Sequence, residues 1–144
     1  LPILMKSDDI LKSTSNQISL KKALNHFMDL HRNDSPEDID FYRSQFTATI
    51  QAIYNSVGEN AFKNYSNGKF SKKFHPAIFD SLMVSAYFSI SQKNTLPNVS
   101  LETHLSLLAD SRFKESISKR TTDIENIKRR ISIAGHTLFG VVLE

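Results

Sequence analysis

Apolar side chains recur along this chain at the spacing of a helix and almost nowhere in strict alternation. Leu20, Ala23, Leu24, Phe27, Met28 and Leu30 form one face behind a capping Ser19, with Lys21, Lys22 and Asp29 on the other side, which predicts an amphipathic helix ending near Asn33. Ser35-Pro36-Glu37-Asp38 follows as a strong helix start. Serine caps, proline takes the first helical position at no hydrogen-bond cost, and acids sit at the positive end of the helix dipole. Ile39, Tyr42, Phe46, Ile50, Ile53 and Val57 then make one stripe over about five turns, with Gly58 placed to take the left-handed conformation that ends it.

A third helix opens at His75-Pro76 and is apolar nearly all round. Ile78, Phe79, Leu82, Met83, Ala86 and Ile90 cover one broad side, Val84 and Phe88 another, and Ser81, Ser85 and Ser89 leave a narrow strip of small residues. Such a helix belongs in the middle of a bundle, with the serine strip admitting a close neighbour. Asp80 is the single acid in it. Before it, Asn64 to Lys73 carries Asn-Gly, serines and lysines without an acid and reads as an exposed basic loop. After Pro97, Ser100 can cap a helix holding Leu101, Leu105 and Leu108, and a shorter one is expected around Phe113 and Ile117. Thr122-Asp123-Ile124-Glu125 reads as a capping box for a last long helix with Ile124, Ile127, Ile131, Ala134 and Leu138 on one face. The fold class expected is all-α, a compact array of five or six helices. Residues 1–18 are expected to be an N-terminal connector and 19–144 a single helical domain.

Composition bounds this picture without changing it. A chain of 144 residues, 40% hydrophobic and 23% charged, has the size and balance of one globular domain and lies far from the profile of disorder. A net charge of +3 tilts it mildly toward phosphates, without the dense basic stripe of a dedicated nucleic-acid binder. The absence of cysteine excludes disulfides and thiolate zinc sites, and a cytoplasmic location follows as the expectation. The longest apolar segment, about fifteen residues, falls short of the ~20 that a membrane-spanning helix needs. The chain opens on Leu1 rather than methionine, so a fragment of a longer protein is expected.

The residues that carry chemistry are sparse. His26, His31, His75, His104 and His136 do not form the helical histidine pair with an intervening glutamate that zinc hydrolases use. Four glycines cannot build a phosphate-cradling loop, and no serine stands in a Gly-x-Ser-x-Gly elbow. The acids Glu37, Asp38 and Asp40 are explained by the helix dipole. No catalytic residue, metal site or cofactor is expected, and the chain by itself is not read as an enzyme. The candidates for nucleic-acid contact are Lys63, Lys69, Lys72 and Lys73 before the central helix and Lys128, Arg129 and Arg130 along the last one, with Lys119 and Arg120 near them. If the two groups met they could hold a few phosphates; ordinary solvated surface is the competing reading. Tyr65 and Phe70, set among the lysines, either stack on bases or plug the loop onto the core.

Four segments in order, Gly58-Glu59-Asn60-Ala61-Phe62-Lys63, Pro76 to Ser85, Phe113 to Ile117, and Ile127-Lys128-Arg129-Arg130-Ile131, resemble the helical C-terminal part of one family. It is the family that supplies the N-terminal domain of GmrSD-type modification-dependent restriction endonucleases and also occurs in phosphorothioate-linked phage defence. The resemblance runs from about Leu20 onward. Members are similar to ParB-like and sulfiredoxin-like nucleotide-binding proteins in their first half, where an Asp-Gly-Gln-Gln-Arg motif is associated with nucleotide hydrolysis. No such motif occurs in this chain. The resemblance therefore implies a noncatalytic helical domain of a bacterial restriction or phage-defence protein, whose partners would be the nucleotide-binding half of its parent and DNA. The alternative is a helical scaffold or protein-interaction module with no nucleic-acid role.

Overall fold

The computed structural model describes residues 19–143, so the connector expected over 1–18 lies outside the described residues. Ser19 caps α1 (Leu20–Leu30) by accepting from the Lys22 amide. A short turn, in which His31 Nδ1 and Asp34 Oδ2 lie 2.6 Å apart, leads to α2 (Pro36–Val57). The start of α2 is the capping box that its sequence predicts: Ser35 Oγ accepts from the Asp38 amide at 3.1 Å, and Asp38 Oδ2 accepts from the Ser35 amide at 3.3 Å. Gly58 ends the helix at φ 100° and ψ −172°, a positive-φ conformation with extended ψ rather than the compact left-handed pair expected.

The segment expected to be a loop is a β-hairpin. Strands β1 (Lys63–Ser66) and β2 (Lys69–Phe74) pair antiparallel, with Tyr65 opposite Phe70 and Ser66 opposite Lys69. Asn67 and Gly68, at φ 52° and 76°, make the two-residue turn whose twist suits a hairpin. The described residues are thus mostly helical, with a small two-stranded sheet, and not strictly all-α.

Four further helices follow: α3 (Pro76–Lys93), α4 (Leu101–Ala109), α5 (Ser111–Ser118) and α6 (Ile124–Ala134). The central position expected for α3 is observed, with Ile78, Leu82, Met83, Val84 and Ala86 buried around its circumference. Its serine strip is fully buried as well. Ser81 and Ser85 hand their hydroxyl protons to backbone carbonyls of their own helix at 2.8 and 2.7 Å, which lets polar side chains stand inside the core. The close neighbour is the C-terminal segment: a Cβ built on Gly135 would lie 3.3 Å from Ser85 Cβ.

Between α4 and α5, Asp110 ends one helix and caps the next, its Oδ1 accepting from the amides of Arg112 at 2.8 Å and Phe113 at 3.0 Å. That turn drives Phe113 and Ile117 into the core beside Leu107 and Leu108. At α6 the expected capping box is not formed. Asp123 holds the cap position with no side-chain bond to the helix, and Asn126 instead donates to the carbonyls of Lys119 and Arg120. The last helix also does not run on as an α-helix. It widens at Gly135–Phe139 into one π-helical turn, which places both Leu138 and Phe139 inside and stops at Gly140 in the left-handed conformation. Lys93, at the end of α3, donates to the carbonyls of Phe139 and Gly140 at 3.2 and 2.9 Å, satisfying acceptors that a helix end leaves open.

Candidate functional site

The candidate basic residues separate once placed on this frame. Lys69, Lys72 and Lys73 stand exposed on β2, and among the described residues none of the three meets an acid or a side-chain acceptor. Lys63 is half-buried and donates to Asn60 Oδ1 at 2.9 Å, so it braces the entry to the hairpin. The hairpin is fastened to the domain by the aromatics among the lysines. Phe70 meets Tyr65 edge-on at 5.0 Å and stacks on His104 of α4 at 5.5 Å, with 24° between the rings. Of the two roles open to Tyr65 and Phe70, the structure displays the plug: both pack against the core.

Lys128 and Arg129 are exposed on α6. Arg129 borders a shallow depression of about 440 Å³ in which Lys119 and Arg120 face Glu115, Asp123 and Glu125, so acids offset its bases. Arg130 departs from the expectation of a phosphate ligand. It is 5% exposed, and its guanidinium points inward to Asp80 Oδ2 at 2.8 Å and to the Thr121 carbonyl at 2.8 Å. The reason lies in the helical period: Ile127, Arg130, Ile131 and Ala134 share the inner face of α6, and the acid of α3 offers the charge that an arginine needs to be buried there. Neither residue was legible as half of a pair, because fifty positions separate them.

Two histidines are also internal. His104 is 2% exposed with Nε2 unpartnered, and burial holds its pKa below the ordinary 6.5. His75, at the cap of α3, has a buried Nδ1 without a partner. Its pKa is also lowered, mainly by burial and further by the positive Arg130, while a backbone hydrogen bond opposes the shift. Both are held as neutral rings away from other ligand-type side chains, and no group of three His, Asp or Glu residues suited to a metal occurs among the described residues. No described helix is long and apolar enough to cross a membrane.

The feature that sequence reasoning underrated is the division of α2. Its apolar stripe continues unbroken, but only the C-terminal part is covered: Ile53 is fully buried and Ile50 and Val57 pack on the core, whereas every residue from Pro36 to Ala48 is exposed. Ile39, Tyr42 and Phe46 are 48%, 40% and 51% exposed. Neither does any residue of α1 join the core, and Met28 and Leu30 face solvent. The exposed stripe runs into a group of rings. Phe46 lies 6.5 Å from Phe79, which lies 5.1 Å from Phe74, and Phe74 of β2 is itself 55% exposed between Lys73 and His75. On the other flank His31 meets Tyr42 edge-on at 5.5 Å. A contiguous apolar patch of this kind on a folded domain marks a surface that something covers. Its signal in the sequence was a stripe longer than the helix α3 that packs on it. Comparison with known protein families, with characterised proteins and with solved structures finds no match to this chain.

Proposed function

We propose that this chain is a noncatalytic helical interaction module whose α2 face docks it onto another folded unit. The observation that carries the reading is the first half of α2, in which Ile39, Tyr42 and Phe46 continue the buried stripe yet stand in solvent. Helices of this kind draw most of their stability from packing of the apolar face rather than from propensity, so a face left open calls for a partner. The resemblance to the helical half of the GmrSD-type family supplies a setting, a restriction- or phage-defence-like parent in which such a module supports a nucleotide-hydrolysing half. The test is Phe46→Glu, followed by urea unfolding at high dilution. A docking face predicts a change of about 0.5 kcal/mol or less, as for other surface substitutions. A loss of about 3 kcal/mol or more, the range of a core phenylalanine, would mean that the face belongs to the packing of the domain itself and would sink the reading.

Contact with duplex DNA is a second reading, and the three unpaired lysines on a braced hairpin favour it. Fluorescence anisotropy with duplex and modified duplex at several salt concentrations tests it. Binding should weaken steeply with salt and fall when Lys69, Lys72 and Lys73 become alanine. Binding that is absent, or unaffected by the triple substitution, removes this reading and leaves the first intact.

A further inference from the structure

The docking face is self-complementary, and this inference rests on the reading of it given above. Along α2 the open stripe has an acidic end and a middle that is apolar. Glu37, Asp38 and Asp40 lie in the first turns, followed by Ile39, Tyr42 and Phe46. At the far end of the patch, reached from Phe46 through Phe79 to Phe74, stand Lys72 and Lys73, exposed and without an acid partner among the described residues. A surface with acids at one end, lysines at the other and rings between them fits itself when turned end for end.

We propose that the occupant of this face is a second copy of the same chain, with the two α2 helices packed antiparallel across a two-fold axis near Tyr42. In that arrangement Asp38 of one copy lies level with Phe46 of the other. The acidic turn then reaches the ring cluster and the lysines beside it, twice by symmetry. Ile39, Tyr42 and Phe46 follow the three-and-four spacing of a helix-pair seam. With ~200 Å² for a full-sized apolar side chain, the exposed shares of these three and Phe74 amount to roughly 400 Å² per chain. That is about half of the ~800 Å² per partner in a standard interface, leaving the remainder to the charged rim and α1.

Sedimentation or light scattering on the full 144-residue chain, from low to high micromolar concentration, measures the assembly. The expected result is a mass rising toward twice 16.4 kDa, with dissociation promoted by salt. Phe46→Glu should abolish the dimer. Lys72→Glu with Lys73→Glu should weaken it, and adding Glu37→Lys with Asp40→Lys should restore it. The chain has no cysteine, so Tyr42→Cys, on the axis, should cross-link to itself under mild oxidation while Gln45→Cys, on the opposite side of α2, should not. A chain that stays monomeric at every concentration overturns the proposal, as does a dimer indifferent to Phe46→Glu or one cross-linked equally through both cysteines. If the chain is monomeric and Phe46→Glu leaves its unfolding free energy unchanged, the second copy is excluded while the docking face stands. If Phe46→Glu unfolds the monomer, both fall.

Discussion

Removing Asp80 should cost this domain more than most substitutions in its hydrophobic core. Asp80 and Arg130 have side chains only 16% and 6% exposed, and a 2.8 Å charge-assisted hydrogen bond joins them across the α3–α6 contact. In Asp80→Ala the guanidinium keeps its bond to the Thr121 carbonyl but loses its counter-charge in a region that water barely reaches. Breaking such a pair from one side costs about 3–5 kcal/mol. Against a whole-domain stability of about 5–15 kcal/mol this is a large share, and for a chain of this size it lowers the melting temperature by roughly 10–20 °C. Urea unfolding followed by far-ultraviolet circular dichroism measures it without a tryptophan, which the chain lacks. The same reasoning makes a second demand. Replacing both partners with apolar residues, Asp80→Leu with Arg130→Met, removes the stranded charge and should recover most of the loss, since buried pairs exchanged for packed hydrophobes are often neutral or better. If Asp80→Ala costs under about 1 kcal/mol, or the double variant is no more stable than Asp80→Ala alone, the charge is not buried in the sense argued.

Acidification should destabilise the fold through His104 and His75. Their folded pKa values lie below 6.5, so the unfolded chain binds protons first: stability is complete above pH 6.5 and declines as pH falls from there toward the folded values. Urea midpoints taken through that window should fall, and His104→Phe should flatten the decline. Gly135→Val should destabilise by about 1–3 kcal/mol through overpacking, because even the first added carbon would meet Leu143, Val141 and Ser85 at 3.1 to 3.3 Å. A thermal melt matching that of the parent chain would count against the close approach. Gly68→Val should cost about 1–2 kcal/mol from its backbone alone, since φ is 76° there and nothing stands in the way of a side chain. Fraying of the hairpin amides in NMR, with the helices unchanged, would report it.

The helices were legible because each is written twice, in its period and in its cap. Ser35-Pro36-Glu37-Asp38 specifies α2 locally, and the serine strip of α3 implies the close neighbour that Gly135 provides. The hairpin was missed although Asn67-Gly68 is a strong turn signal, because the flanking lysines lent the segment the polarity of a loop. Its strands are marked by rings at Tyr65 and Phe70 and not by long alternation. The capping box at Thr122 failed because Asn126 secures the α5–α6 turn instead. Among the candidate site residues, Lys69, Lys72 and Lys73 lie exposed as their composition suggests. Arg130 does not, since a charge in a periodic apolar face reads as surface until its distant acid is known.

The divided helix has a consequence for the way the domain opens. In the C-terminal half of α2 the amides around Ile53 sit against the core, and their exchange with solvent should need an opening close to global unfolding. The turns from Glu37 to Ala48 have no tertiary cover on any side, so their amides should exchange through local fraying at much lower free energy. One continuous helix of 22 residues would thus show a step in protection near Thr49, where its burial begins. The height of that step measures how much of the order in the first half of the helix is its own and how much must be lent by whatever lies against it.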